Sequence, residues 1–155
     1  MALEIERRFL LKNDNWKEFT TKKIFIEQGY LSKSLDDWII RIRFTGEDFK
    51  IALKKHIKSF TNFEFEYSIP QKDGETIMSN LSNTIKKERF FLEVEKKSWI
   101  IDCFKENNYP LEIAEIEILK EEEALSLPSF ISKEITGLTK YSNFCLSKKP
   151  FSEWN

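Results

Sequence analysis

The chain has 155 residues, enough for one domain with a sizeable core, and 41% of them are hydrophobic against 33% charged. Its 25 Lys and Arg against 26 Asp and Glu give a formal net charge of −1, which argues against a general nucleic-acid or anionic-membrane binder. One histidine, His56, and two cysteines, Cys103 and Cys145, supply no disulfide framework and no zinc-ligand spacing.

No internal repeat, low-complexity tract or Pro/Gly-rich linker divides the sequence, so one domain over 1–155 is expected. The first predicted strand, near 3–11, puts Glu4, Glu6 and Arg8 on one face, with Ile5 and Phe9 opposite and Arg7 beside them. A helical stretch near 14–20 and a strand near 24–31 follow. In the strand near 38–45, Arg41 and Arg43 share one face and Ile40, Ile42 and Phe44 the other. In the next, near 48–55, Lys50, Ala52 and Lys54 oppose Phe49, Ile51 and Leu53. His56 sits among Lys54, Lys55 and Lys58 and reads as a surface residue.

The strand near 62–69 sets Glu64 and Glu66 against Phe63, Phe65, Tyr67 and Ile69. A helix near 74–84, with Ile77 and Leu81 at helical spacing, leads to a strand near 86–95 in which Lys87 and Arg89 alternate with Phe90. Strands near 98–104, carrying Asp102, and 111–119, carrying Glu115 and Glu117, complete the series. The segment 120–127 reads as a helical turn. A helix is expected near 128–135, opened by Pro128 and closed by Gly137. Phe63, Phe65 and Trp99 read as core. The fold class is α+β, dominated by antiparallel sheet.

A single strand with one charged face is an ordinary amphipathic strand. Six in one small domain raise a different question, because their charged faces must be accommodated together. A closed sheet could point its apolar faces inward as a filled barrel, or outward, with covering elements outside and a charged tunnel within. Periodicity does not choose between them.

The charges themselves suggest a chemistry. Arginine grips phosphate oxygens with two parallel hydrogen bonds and lysine meets them as a point charge. Carboxylates without histidine or cysteine partners suit hard cations such as Mg²⁺ or Mn²⁺. Together they fit a polyphosphate bound as its metal complex. No Gly-rich phosphate loop and no Ser/His/Asp or Cys/His set offers a competing mechanism.

The opening "EIERRFL" resembles the ExExK signature of the CYTH domain, the triphosphate tunnel metalloenzymes. The resemblance continues in order through "QGYL" (28–31), "RIR" (41–43), "EFEYSIP" (64–70), "WIIDCF" (99–104), "IAEIEI" (113–118) and "YSNFCLSKKPF" (141–151). It implies an eight-stranded antiparallel β tunnel with a charged interior, covered outside by helices. It also implies metal ligation by Glu4, Glu6, Glu64, Glu66, Asp102, Glu115 and Glu117, and substrate binding by Arg8, Arg41, Arg43, Lys54, Lys87 and Arg89, with Lys50 and Lys140 as further candidates. Glu4, Glu6 and Arg8 form the catalytic signature. Arg8 departs from the family lysine, keeping the charge but changing reach and hydrogen-bond geometry.

The implied activity is cleavage of a phosphoanhydride bond of inorganic triphosphate or a related triphosphate, with two Mg²⁺ or Mn²⁺ ions. The alternatives are a class IV-type adenylate cyclase and a non-catalytic polyphosphate-binding module. The expected partner is a small-molecule triphosphate, with no membrane, nucleic acid disfavoured and a homodimer left open. The absence of an apolar leader and of a run near the roughly 20 residues that span a bilayer, with the two cysteines, points to the cytoplasm.

Overall fold

Nine strands form one antiparallel sheet, and the computed structural model describes residues 2–155 of the chain. The strands are β1 (Leu3–Leu11), β2 (Thr20–Tyr30), β3 (Ile39–Phe44), β4 (Phe49–Lys58), β5 (Thr61–Ile69), β6 (Ile85–Val94), β7 (Lys97–Phe104), β8 (Glu112–Glu117) and β9 (Ile131–Glu134). Their order is β5-β4-β3-β2-β6-β7-β8-β1-β9, and β5 also pairs with β1. That pairing closes the first eight strands into a barrel. The seam is short, matching Leu3, Glu4 and Ile5 to Phe63, Asn62 and Thr61. Beyond it β9 takes over the free edge of β1 near Phe9 and Leu11.

The apolar faces point outward. Phe9, Leu92, Trp99, Ile101, Ala114 and Ile116 alternate with the charged positions and pack beneath Trp16, Phe130 and Ile131. Trp16 comes from a 3-10 helix, Asn15–Phe19, in the helical stretch expected near 14–20. On the opposite side, helix α1 (Gln71–Ser79) lies against the outer face of β3 and β4. A Cβ at Gly74 would come within 2.1 Å of the Phe49 ring, so this close approach requires glycine.

A second cluster closes one end of the tunnel. Ile85, Phe104 and Ile113, from the inner faces of β6, β7 and β8, pack with Leu111, Ile135, Tyr141 and Leu146. Tyr141 and Leu146 belong to the C-terminal segment, a 3-10 turn (Thr139–Tyr141) followed by helix α2 (Asn143–Lys148). Ser142 caps α2, its Oγ accepting from the Cys145 N–H at 3.1 Å. The segment is a plug and not an outer cover, so the expected coat of helices is supplied only in part.

Other expectations are corrected. The predicted helix over 128–135 is strand β9, because the edge of β1 left free beyond the seam offers backbone partners, and Phe130 and Ile131 are buried in the outer core. Segment 120–127 contains a turn at 121–122 and no helix. The helix expected over 74–84 begins earlier, just after Pro70, and ends at Ser79, leaving Leu81 outside it against Gly29. Trp99 is core as expected, but Phe63 is 40% exposed on the outer wall. No helix is long and apolar enough to cross a membrane among the described residues.

Candidate active site

The strand alternation that sends apolar residues outward sends the charges into a cavity of about 720 Å³. Arg8, Arg41, Arg43, Lys54, Lys87 and Arg89 line it, facing Glu4, Glu6, Glu64, Glu66, Glu115 and Glu117. Three candidates stand apart from this lining. Lys50 is partly exposed, with Nζ 3.8 Å from Glu66 Oε1. Lys140 points away, its ammonium 4.5 Å from the centre of the Trp154 ring. Asp102 lies on the inner face of β7 but is fully buried beneath Lys87 and Arg89, outside the lining.

Asp102 is engaged on both oxygens. Arg89 donates to it from Nε at 2.8 Å and from Nη2 at 2.9 Å, and Lys87 Nζ donates at 2.8 Å. Burial alone would raise its carboxyl, but Arg89 and Lys87 outweigh that and hold it well below the usual range. Three hydrogen bonds from two cations take up most of the Asp102 acceptor sites, with Oδ2 receiving two of them and Oδ1 one. Asp102, expected as a metal ligand, anchors Lys87 and Arg89 in this structure.

The acidic wall is built differently. Register places Glu6 directly opposite Glu117, and Arg8 opposite Glu115, across the β1–β8 pair. Like charges facing each other across strands are destabilising. Burial, with Glu115 adding to it, pushes the Glu6 carboxyl up to about 7. Burial also raises Glu4, with Glu64 adding to the effect against Lys54. Lys54 Nζ lies 2.5 Å from Glu4 and 3.9 Å from Glu6, one ammonium serving a crowd of carboxylates. Burial would lower that ammonium, yet Glu6 and Glu4 hold it above the ordinary lysine range.

The basic wall has donors to spare. Among the described residues, Arg43 meets no carboxylate within ion-pair distance, and its Nε donates to Gln28 Oε1 at 2.9 Å. Burial disfavours its charge, and Arg41 and Arg89 add to that. Arg41 Nη2 reaches Glu66 at 2.9 Å while its Nε is buried without a partner. Arg8 Nε lies 3.3 Å from Glu115 and Nη1 donates to the Tyr141 carbonyl at 3.0 Å, leaving a buried Nη2 without a partner. Unpaired buried donors beside a cavity are costly until an oxyanion meets them.

An inorganic triphosphatase of Acetivibrio thermocellus is 30% identical to this chain over 156 aligned residues, covering 99% of both. The chain belongs to the CYTH, or triphosphate tunnel, family. An inorganic triphosphatase of Nitrosomonas europaea is 25% identical over 93% of the chain and 96% of that protein. Among solved CYTH folds, a crystal structure described as an inorganic triphosphatase superposes with a TM-score of 0.67 at 25% identity, covering 93% of this chain and 97% of its own. A proposed adenylate cyclase of Bacillus halodurans shares the fold, with a TM-score of 0.62 at 15% identity over 79% of this chain and 84% of its own. A scan of protein-family models finds no match.

Several cavity residues were not singled out in the sequence. Gln28 and Tyr30 point inward from β2, where Gln28 Nε2 donates to the Tyr30 hydroxyl at 2.8 Å. The signal was a polar pair two residues apart in the quoted "QGYL". Asn143 and Thr136 reach the cavity from the plug and from the loop after β9, where no periodicity marks them. His56, exposed as expected, sits at the rim.

Proposed function

We propose that this chain hydrolyses inorganic triphosphate to pyrophosphate and phosphate inside the tunnel, with a divalent cation. The observation that carries the reading is the set of buried cations left without anions: Arg43, and the free donors of Arg8 and Arg41. In a shielded cavity such groups are held ready for the oxygens of a highly charged linear anion. The named CYTH relatives support the same substrate.

The donor set suits a hard cation. Glu4, Glu6, Glu115 and Glu117, with Glu64 beside Glu4, crowd one wall in oxygen-only chemistry, and their mutual repulsion falls when a cation is held among them. Among the described residues, no three His, Cys, Asp or Glu side chains converge into a complete cage. These carboxylates would therefore supply part of a coordination shell that phosphate oxygens and water complete, as is usual for Mg²⁺. When bound, Mg²⁺ or Mn²⁺ supplies charge neutralisation on phosphate oxygens and a more acidic water.

The protein's part is binding and orientation. Arg41, Arg43, Lys87 and Arg89 grip phosphate oxygens and hold the chain for in-line displacement, in which water bonds to a terminal phosphorus as the bridging P–O bond breaks. Arg8 Nη2 adds a donor at the acidic wall. Phosphate release from inorganic triphosphate and from ATP, with cyclic AMP measured in parallel and with or without EDTA, tests the reading. Release from inorganic triphosphate that stops in EDTA is expected. Cyclic AMP as the main product, or equal turnover by metal-free protein in EDTA, would overturn it.

A further inference from the structure

Lys87 carries three N–H donors and is fully buried. One N–H goes to Asp102 Oδ2 at 2.8 Å, and another to Asn143 Oδ1 at 3.0 Å. An ammonium has no acceptor, so the atom facing it must be the amide oxygen of Asn143. Two donors are thus fixed from two sides, and the third is the one Lys87 can offer to the cavity it lines. Asn143 opens helix α2 of the C-terminal plug, whereas Lys87 lies in the barrel wall.

The plug is itself fastened to the tunnel at a second point. Arg8 Nη1 donates to the carbonyl of Tyr141, two residues before Asn143. Phe144, the next residue, packs edge-on against Tyr30 with ring centroids 5.4 Å apart. These contacts hold Asn143 in place relative to β1 and β2, so its oxygen is a fixed point for the ammonium.

We infer that Asn143 is a positioning residue: it aims the Lys87 ammonium at the bound triphosphate and makes the C-terminal plug part of the binding site. The inference rests on the proposed triphosphate site and names a residue that acts on it through Lys87. Losing the Asn143 oxygen frees the ammonium to rotate about its remaining bond to Asp102. Burial lowers Lys87 below the ordinary lysine range, with Arg89 and Arg43 pushing the same way and Asp102 opposing them.

A double-mutant cycle separates this from a merely structural role. Asn143→Leu is close in volume and lacks the acceptor. Lys87→Met removes the ammonium while Asp102 keeps both bonds from Arg89. Binding of inorganic triphosphate in EDTA is measured by calorimetry on the full chain, and kcat and KM with Mg²⁺ alongside. Asn143→Leu should weaken binding about tenfold in the wild-type background and less than twofold in the Lys87→Met background. Equal losses in both backgrounds, or no loss in the first, would overturn the inference. Should Lys87→Met not fold, Asn143→Asp decides: it keeps an acceptor oxygen and should hold kcat within twofold of wild type while its added charge raises KM. A kcat more than twofold below wild type in Asn143→Asp would overturn the inference. A wild-type chain that binds triphosphate without cleaving it would refute the proposed hydrolysis, and the binding cycle would still decide the role of Asn143.

Discussion

Two charged clusters share the tunnel and are built on opposite terms. Around Asp102, one carboxylate accepts from two cations on both of its oxygens, with Lys87 and Asp102 fully buried. At the acidic wall, Glu6 faces Glu117, and one ammonium lies near Glu4 and Glu6. Both clusters arise from the same strand alternation, and the family resemblance gives their carboxylates the same role. The difference is completeness. Asp102 holds two cavity-lining cations in place, whereas the acidic wall gathers more negative charge than its one ammonium offsets.

The largest effect should come from breaking the complete cluster. Asp102→Ala leaves two cations in a buried site without a counter-charge, and breaking a buried pair this way costs about 3–5 kcal/mol. Chemical denaturation should show a loss of that size with or without Mg²⁺. If Asp102 were instead a metal ligand on the cavity surface, the metal-free protein would be as stable after the change as before it.

Changing the incomplete cluster should have the opposite sign. Glu6 carries a carboxyl raised from 4.5 to about 7, so the folded state binds its proton more tightly than the unfolded chain does. The stability this contributes is fully present below about pH 4.5 and disappears as pH rises through about 7. In EDTA the wild type should therefore lose on the order of 2–3 kcal/mol between pH 5 and 8 through this group, while Glu6→Gln stays flatter. At pH 8 the variant should be the more stable protein yet the less active enzyme, by at least tenfold, the usual trade at a functional site. Parallel pH curves for the two proteins would show that Glu6 is not held in the crowded environment described here.

The barrel was legible because period-two alternation is a local property. Glu4, Glu6 and Arg8 were assigned to one face from their spacing, and the strand carries them inward as a set. The direction of that face came only from the family resemblance, since alternation is the same inside out. Asp102 shows the limit at the site: its spacing matches that of the ligands, but its role depends on Lys87 and Arg89 across the β6–β7 pair. The error at 128–135 has a similar origin. Pro128, Ile131, Ile135 and Gly137 satisfy a helical pattern, and the unpaired edge of β1, which no local pattern records, makes the segment a strand. Asn143 sits on a six-residue helix too short to carry a period.

The smallest expected effect concerns the residue at which this chain departs from the family signature. Arg8 spans three places at once: its Nε faces Glu115 at 3.3 Å, its Nη1 donates to the Tyr141 carbonyl at 3.0 Å, and its Nη2 is buried and free. A lysine carries the same charge but concentrates its donors on one nitrogen, so it cannot serve a carboxylate and a distant carbonyl together. Arg8→Lys should therefore keep the contact with Glu115 and release the plug. The lost hydrogen bond is worth about 1 kcal/mol, which for a chain of this size lowers the melting temperature by roughly 2–4 °C. Turnover should fall less than tenfold, because the cation beside the acidic wall remains. Amide exchange should quicken at Tyr141 and Ser142 while the β1–β8 ladder stays protected, since only the plug has lost a fastening. An unchanged melting temperature and unchanged exchange at those two amides would show that the Tyr141 contact holds nothing, and that arginine serves here only as a cation.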